Sequence, residues 1–240
     1  MKKENNMKRT ITIGRLAAIA AAASVLMLTG CGKELHLSDV GTRATTAPSA
    51  ENNNTGKDDE IRSSDGRSFI ITLHPDTAPI TCENFEKLVS EGFYDGLTFH
   101  RVVDNFMAQG GDPEGTGAGG STSKIKGEFS SNGVENNLSH KRGVVSMARS
   151  KAPDSATSQF FICYTDCSAS LDGSYAAFGE VTEGMDVVDS FTEVPRSANS
   201  FGENAVPDTP IIMEKVQMID PDEDGEPRVK VTMNDFLEKQ

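Results

Sequence analysis

Arg101 and Gln109 lie close together in Phe99–Pro113, FHRVVDNFMAQGGDP, among phenylalanines and a methionine, and the stretch closes on glycines. A guanidinium stays protonated and offers five donors in a rigid fork. Beside an apolar wall it can polarise a ligand carbonyl or amide without exchanging a proton. No serine or cysteine here is paired with a base, which argues against hydrolase chemistry. The same residue types also suit a plainer use, an edge-strand arginine paired with a carboxylate and a methionine filling the core. This stretch alone leaves both uses open.

The elements that must position these groups follow from periodicity. If Leu97 to Val103 is a strand, then Leu97, Phe99, Arg101 and Val103 share one face and His100 points to the other. Asp104 and Asn105 form a turn, and a short strand from Phe106 to Gln109 sets Met107 and Gln109 on one face. Gly143 to Thr165 reads as strand, polar loop and strand, with Pro153, Asp154 and Ser155 as turn formers. In its second strand Gln159 and Phe161 point one way, Phe160 and Ile162 the other. One phenylalanine can then serve the core while its neighbour lines a surface pocket. Leu171 to Val181 gives a turn at Asp172 and Gly173 followed by an apolar strand, and Glu183 to Phe191 has a helical apolar period.

Elsewhere, Phe69 to Leu73 is a strand, and Pro79 to Glu91 is a helix with Gly92 as its stop. Gly115 to Gly120 lacks the Lys-Ser/Thr pair of a phosphate loop and is a surface loop. Gly127 to Arg142 is a polar connection with a structural His140. Pro195 to Pro210 is an ordered surface loop, and Ile211 to Ile219 is the final strand. Pro221 to Gln240 is acidic and then amphipathic, and either packs back or stays free.

Taken together, FHRVV, FMAQGGDP, SMAR, SQFFI, LDG and FGEV resemble, in order and spacing, the cyclophilin family of peptidyl-prolyl isomerases, over about Asp58 to Asp220. The resemblance implies a mostly β fold, a closed antiparallel eight-stranded barrel capped by two helices. It places Arg101 as the catalytic arginine and Gln109 as its supporting amide. Phe106, Met107, Phe161 and Leu171 become walls of a proline pocket. Ala148, Arg149 and Gln159 form the ledge for the substrate backbone, and Gly117 belongs to the adjacent loop. Three positions depart from the eukaryotic pattern. Arg149 replaces an asparagine whose contact is made largely by backbone, Ser170 falls about where a tryptophan would sit, and Tyr175 replaces a histidine while keeping an aromatic wall with a polar tip. Tight binding of cyclosporin-type inhibitors is therefore not implied.

The implied chemistry is rotation about an Xaa-Pro bond. The trans preference before proline is only about 0.5–1 kcal/mol, yet uncatalysed rotation takes about 100 s. Amide resonance sets a barrier of roughly 18–20 kcal/mol, so a catalyst must favour the twisted state with a localised nitrogen lone pair. Arg101 can donate toward that nitrogen. Reaching about 1 ms requires roughly 7 kcal/mol. No metal, nucleotide or redox cofactor is required. The alternative is a proline-peptide-binding holdase with little catalysis, which the altered rim at Arg149, Ser170 and Tyr175 would suit.

The amino terminus supplies a location. Lys2, Lys3, Lys8, Arg9 and Arg15 precede an apolar run, Leu16 to Leu28, that is short for a membrane span and reads as a secretory signal, residues 1–30. Leu28-Thr29-Gly30-Cys31 resembles a bacterial lipobox. It implies a lipid anchor on Cys31 and a protein on the extracytoplasmic side of the cell membrane. Residues 31–57 read as a disordered tether reaching roughly 30 Å. Residues 58–220 form one domain and residues 221–240 a tail. Removing residues 1–30 takes away five basic side chains and one acidic, moving the formal charge from −13 to −17. So acidic a chain is a poor nucleic-acid ligand. Its expected partners are proline-containing unfolded or exported polypeptides, and a monomer is expected. Cys82, Cys163 and Cys167 are expected to be free thiols, the last two held apart by an extended chain.

Overall fold

The computed structural model describes residues 67–237. The signal segment, Cys31, the tether and the start of the domain at Asp58 lie outside the described residues.

The strands are β1 Arg67–Leu73, β2 Thr98–Val103, β3 Met107–Asp112, β4 Val144–Met147, β5 Phe160–Cys163, β6 Ala177–Glu183, β7 Arg196–Ala198, β8 Asn204–Pro207, β9 Met213–Ile219 and β10 Arg228–Met233. The helices are α1 Pro79–Ser90 and two short ones, α2 Ser168–Leu171 and α3 Met185–Asp189. Eight strands form one sheet in the order β2-β3-β5-β4-β6-β1-β10-β9, and β7 and β8 form a separate hairpin. All pairings are antiparallel. The sheet is a curled half-barrel where the sequence reading expects a closed barrel. Its outermost strands β2 and β9 meet at a single bridge, Thr98–Ile212, flanked by Phe99 N–H donating to Ile211 O and Met213 N–H to Leu97 O. Pro210 offers no N–H to carry the contact further on its side.

Inside the curl lies an aromatic core, Phe69, Phe85, Tyr94, Phe99, Phe160, Phe178 and Phe191, each at most 1% exposed. Helix α1 buries Phe85, Leu88 and Val89 against it, while Ile80, which shares their helical spacing in the sequence, stays exposed in the first turn. The first turn of α1 has no side-chain cap of its own. The buried carboxylate of Glu128 serves instead, accepting from the Ile80 and Thr81 N–H groups at 3.1 and 2.8 Å. A negative charge at a helix N-terminus satisfies donors that the helix itself leaves unpaired.

Three expectations about elements change, the first being that Pro195 to Pro210 contains the β7–β8 hairpin where a surface loop is expected. The paired residues of β2 and β3 are Phe99 with Gly110 and then Arg101 with Gln109, so His100 is an extra residue, a β-bulge. Alternation therefore breaks: Phe99 and Val102 enter the core while Arg101 turns to the outer face, instead of Leu97, Phe99, Arg101 and Val103 sharing one side. The sheet also continues beyond Asp220. β10 lies between β1 and β9 and buries Val229, Val231 and Met233, with Phe236 following, so the packed alternative holds for this stretch and the domain boundary at Asp220 does not. The acidic segment before it is a hairpin turn, held by the Asp222 carboxylate accepting from the Asp224 and Glu226 N–H groups.

Candidate active site

The outer face of the sheet carries a second apolar cluster. Met107, Phe161, Cys163, Cys167 and Leu171 are buried in it, with Val103, Phe106, Ala148 and Tyr175 packed around them. Strand register explains the grouping. Arg101 pairs with Gln109 and Gln109 with Phe161 along one row; Val103 pairs with Met107 and Met107 with Cys163 along the next. Phe106 precedes β3 and joins through its ring, which the Arg101 guanidinium overlies at 5.9 Å.

Arg101 is fixed from several sides. Nε and Nη2 donate to the two carboxylate oxygens of Glu203, both at 2.7 Å. Nη1 faces the apolar cluster, 3.3 Å from Gln109 Oε1 and 3.7 Å from Met107 Sδ. Gln109 Nε2 donates to Gln159 Oε1 at 2.8 Å, and Gln159 Nε2 to the carbonyl of Gly119 at 2.8 Å. The amides thus relay Arg101 to the glycine-rich loop. The loop is wound around Asp112, whose carboxylate accepts from the N–H groups of Glu114, Thr116, Gly117 and Gly119. Burial would raise the Asp112 pKa, but these N–H donors and nearby His100 outweigh it and hold the carboxyl below its ordinary range. Gly119 is required by close approach, since a Cβ there would lie 2.1 Å from Asp112 Oδ1. Gly117 is favoured by its φ of +82°.

The other expected residues divide. Leu171 and Tyr175 border Phe161, with the Tyr175 ring edge-on to it at 5.8 Å. Behind Phe161 the His140 ring stacks at 6.1 Å, as a structural group. Its Nδ1 lies 2.8 Å from Asp172 Oδ1 and its Nε2 2.9 Å from Ser146 Oγ. Arg149 points away from Arg101. Its guanidinium lies between the Phe129 and Tyr175 rings, at 4.9 and 4.8 Å, and donates to the carbonyls of Ser174 and Ser150. Of this residue only the backbone remains for a ledge beside Ala148. A narrow apolar crevice lined by Ile125, Phe129, Met147 and Arg149 lies beyond it and includes none of Arg101, Gln109 or Phe161. Ser170 is an exposed residue of α2.

Sequence reasoning missed Glu203, which pairs with Arg101, and Asp112, around which the glycine-rich loop is wound. An acid in a polar loop carries no local sign of its partner; the one available signal was that a half-buried arginine needs a countercharge. The expected separation of Cys163 and Cys167 is also corrected. The chain turns between them, both sulfurs enter the outer cluster as free thiols, and burial followed by the neighbouring Cys167 pushes the Cys163 thiol upward.

A directed cationic N–H at the edge of an aromatic and thioether wall, on a curled antiparallel sheet, is an arrangement that could polarise an amide of a bound chain. Residues 60–218 match the family model described as cyclophilin type peptidyl-prolyl cis-trans isomerase/CLD. A peptidyl-prolyl cis-trans isomerase of Acinetobacter baylyi is 44% identical over 153 residues, 62% of this chain and 78% of that protein. Peptidyl-prolyl cis-trans isomerase B of Bacillus subtilis is 46% identical over 122 residues, 51% and 81% of the two chains. A crystal structure of a Cryptosporidium parvum cyclophilin type isomerase in the presence of the dipeptide Ala-Pro superposes with a TM-score of 0.53 at 31% identity, covering 60% of this chain and 88% of that one. The chain belongs to the cyclophilin-type peptidyl-prolyl cis-trans isomerase family.

Proposed function

We propose that this isomerase turns Xaa-Pro bonds of exported polypeptides at the extracytoplasmic face of the membrane, tethered through Cys31, with Arg101 as the group that favours the twisted amide. The observation that carries the assignment of Arg101 is the position of Nη1, turned toward Met107 and Gln109 at the edge of the wall formed by Phe106, Phe161 and Leu171. A proline ring seated on that wall brings its nitrogen toward Nη1. Donation to the nitrogen stabilises the pyramidal, twisted state more than either planar isomer, and only such differential contact raises the rate. Gln109 orients the fork, Gln159 and the backbone at Ala148 and Arg149 take the substrate chain, and Tyr175 closes the rim. The occupation of the Arg149 side chain by Ser174 and two rings supports a backbone ledge there.

The client and the location rest on the sequence: a basic segment, a short apolar run ending at Cys31, and a polar stretch long enough to give the domain freedom near a surface. Mass spectrometry of the mature protein should find acylated Cys31 as the first residue, and an unmodified terminus elsewhere rejects the anchor. Two-dimensional exchange NMR of a prolyl peptide should show cis-trans exchange accelerated by the protein. Binding of the peptide without acceleration would favour the holdase.

A further inference from the structure

Glu203 has no part in the reaction as described, yet it makes the shortest contacts of Arg101. Its carboxylate lies side-on to the Nε–Nη2 edge, a bidentate arrangement that fixes the guanidinium plane as well as its position. That geometry leaves Nη1 as the pocket-facing donor, with only the long contacts to Gln109 and Met107. An arginine without such a clamp samples many rotamers, and the freedom is lost each time the reacting geometry forms.

Glu203 is itself held. Asn199 Nδ2 donates to its Oε2 at 3.0 Å, and Asn199 Oδ1 accepts from the Glu203 and Phe201 N–H groups, both at 3.0 Å. The hairpin that carries both, β7–β8, is attached to the β2–β3 turn by a second bidentate pair, Arg196 with Asp104, at 2.7 and 2.8 Å. Two arginine–carboxylate forks therefore tie this hairpin to the strand pair that presents Arg101. Its own strands form only a small separate sheet.

We propose that Glu203 is a positioning residue for the isomerase reaction, holding the Arg101 fork so that Nη1 meets the prolyl nitrogen, and that the β7–β8 hairpin sets the activity of the site through this clamp. The inference rests on the assignment of Arg101 made above.

The test separates turnover from binding. Exchange NMR of an Ala-Pro peptide across a range of concentrations gives kcat and KM for the full chain and for Glu203→Gln, while the Nε–Hε resonance of Arg101 reports the clamp directly. Glu203→Gln is expected to lower kcat about tenfold, the scale of a small misplacement of a reacting group, with KM nearly unchanged. The Arg101 Nε–Hε signal, slow to exchange in the unsubstituted protein, should become fast. Glu203→Asp, which keeps the charge on a shorter arm, should recover part of kcat, and serves alone if Glu203→Gln fails to fold. Native kcat in Glu203→Gln, or native kcat in Glu203→Asp together with a fast-exchanging Arg101 Nε–Hε signal, overturns the inference while leaving the isomerase assignment intact. So does a fall in kcat that merely follows a loss of folded protein. An unsubstituted chain that does not accelerate exchange overturns the assignment and the clamp together.

Discussion

Phe160 and Phe161 are adjacent in β5 and face opposite sides of the same sheet, where they do different work. Phe160 meets Phe85, Tyr94 and Phe99 edge-on, with ring centroids 5.4, 5.7 and 5.7 Å away, inside a core closed to solvent. Phe161 meets one aromatic ring, Tyr175, and one imidazole, His140, beside an arginine and two amides. The inner face is dominated by apolar rings, its few polar groups, such as the Tyr94 hydroxyl donating to the Ser158 carbonyl, being paired, and it holds the curl together. The outer face mixes an apolar wall with hydrogen-bonded polar groups, a combination that costs desolvation and is maintained only by full pairing. On the proposed function, stability and recognition are thus divided between two faces one residue apart.

That division can be broken or sharpened by substitution. Phe160→Ala should cost about 3–5 kcal/mol of stability, as deletion of a buried ring does; chemical denaturation measures it, and a loss below about 1 kcal/mol would place the stabilising face elsewhere. Asp112→Asn should cost roughly 2 kcal/mol, because it weakens charge-assisted bonds from four loop N–H groups. It should also speed amide exchange at Gly117 and Gly119. Phe161→Leu should cost less than about 1.5 kcal/mol as a partial replacement of volume, yet raise KM for a prolyl peptide several-fold. The smallest effect concerns acid. Burial lowers the pKa of His100 and of His140, the latter despite Asp172. A histidine whose folded pKa lies below its unfolded value binds fewer protons when folded, so its share of stability is complete above about pH 6.5 and is lost as pH falls below that. The melting temperature should decline from about pH 7 to 5. Since His100 is largely buried and neither ring nitrogen meets a hydrogen-bond partner of good geometry among the described residues, His100→Phe should reduce the slope. A second decline below about pH 4 should follow as Asp112, Asp172 and Glu203 protonate, each held low in the fold and therefore stabilising only above that range.

Legibility in the sequence followed the range of the interactions. The opposite facing of Phe160 and Phe161 was readable because β5 is regular and alternation applies without interruption. The facing of Arg101 was not, because the bulge at His100 depends on how β2 meets β3. The wall of Phe106, Met107, Phe161 and Leu171 came from the family's motifs rather than from periodicity, and the structure brings all four into one cluster. Glu203 was invisible because its partner lies 102 positions away and nothing local marks the pairing. The strand Arg228–Met233 was hidden behind an acidic turn that resembles the start of a free tail. Of the two uses the sequence leaves open for Arg101, pairing with a carboxylate is realised on the Nε–Nη2 edge, and Nη1 remains available for the proposed donor role.

The most direct test of the account compares Arg101→Ala and Arg101→Lys with the unsubstituted chain in exchange NMR of an Ala-Pro peptide, with folding checked by the amide spectrum. The account predicts a fall in kcat of about 10²–10³ for Arg101→Ala, the usual consequence of removing a preorganised donor. Little recovery is expected in Arg101→Lys, because a single ammonium cannot keep both the Glu203 clamp and a donor at the pocket. Folded Arg101→Ala protein with unreduced kcat would contradict it.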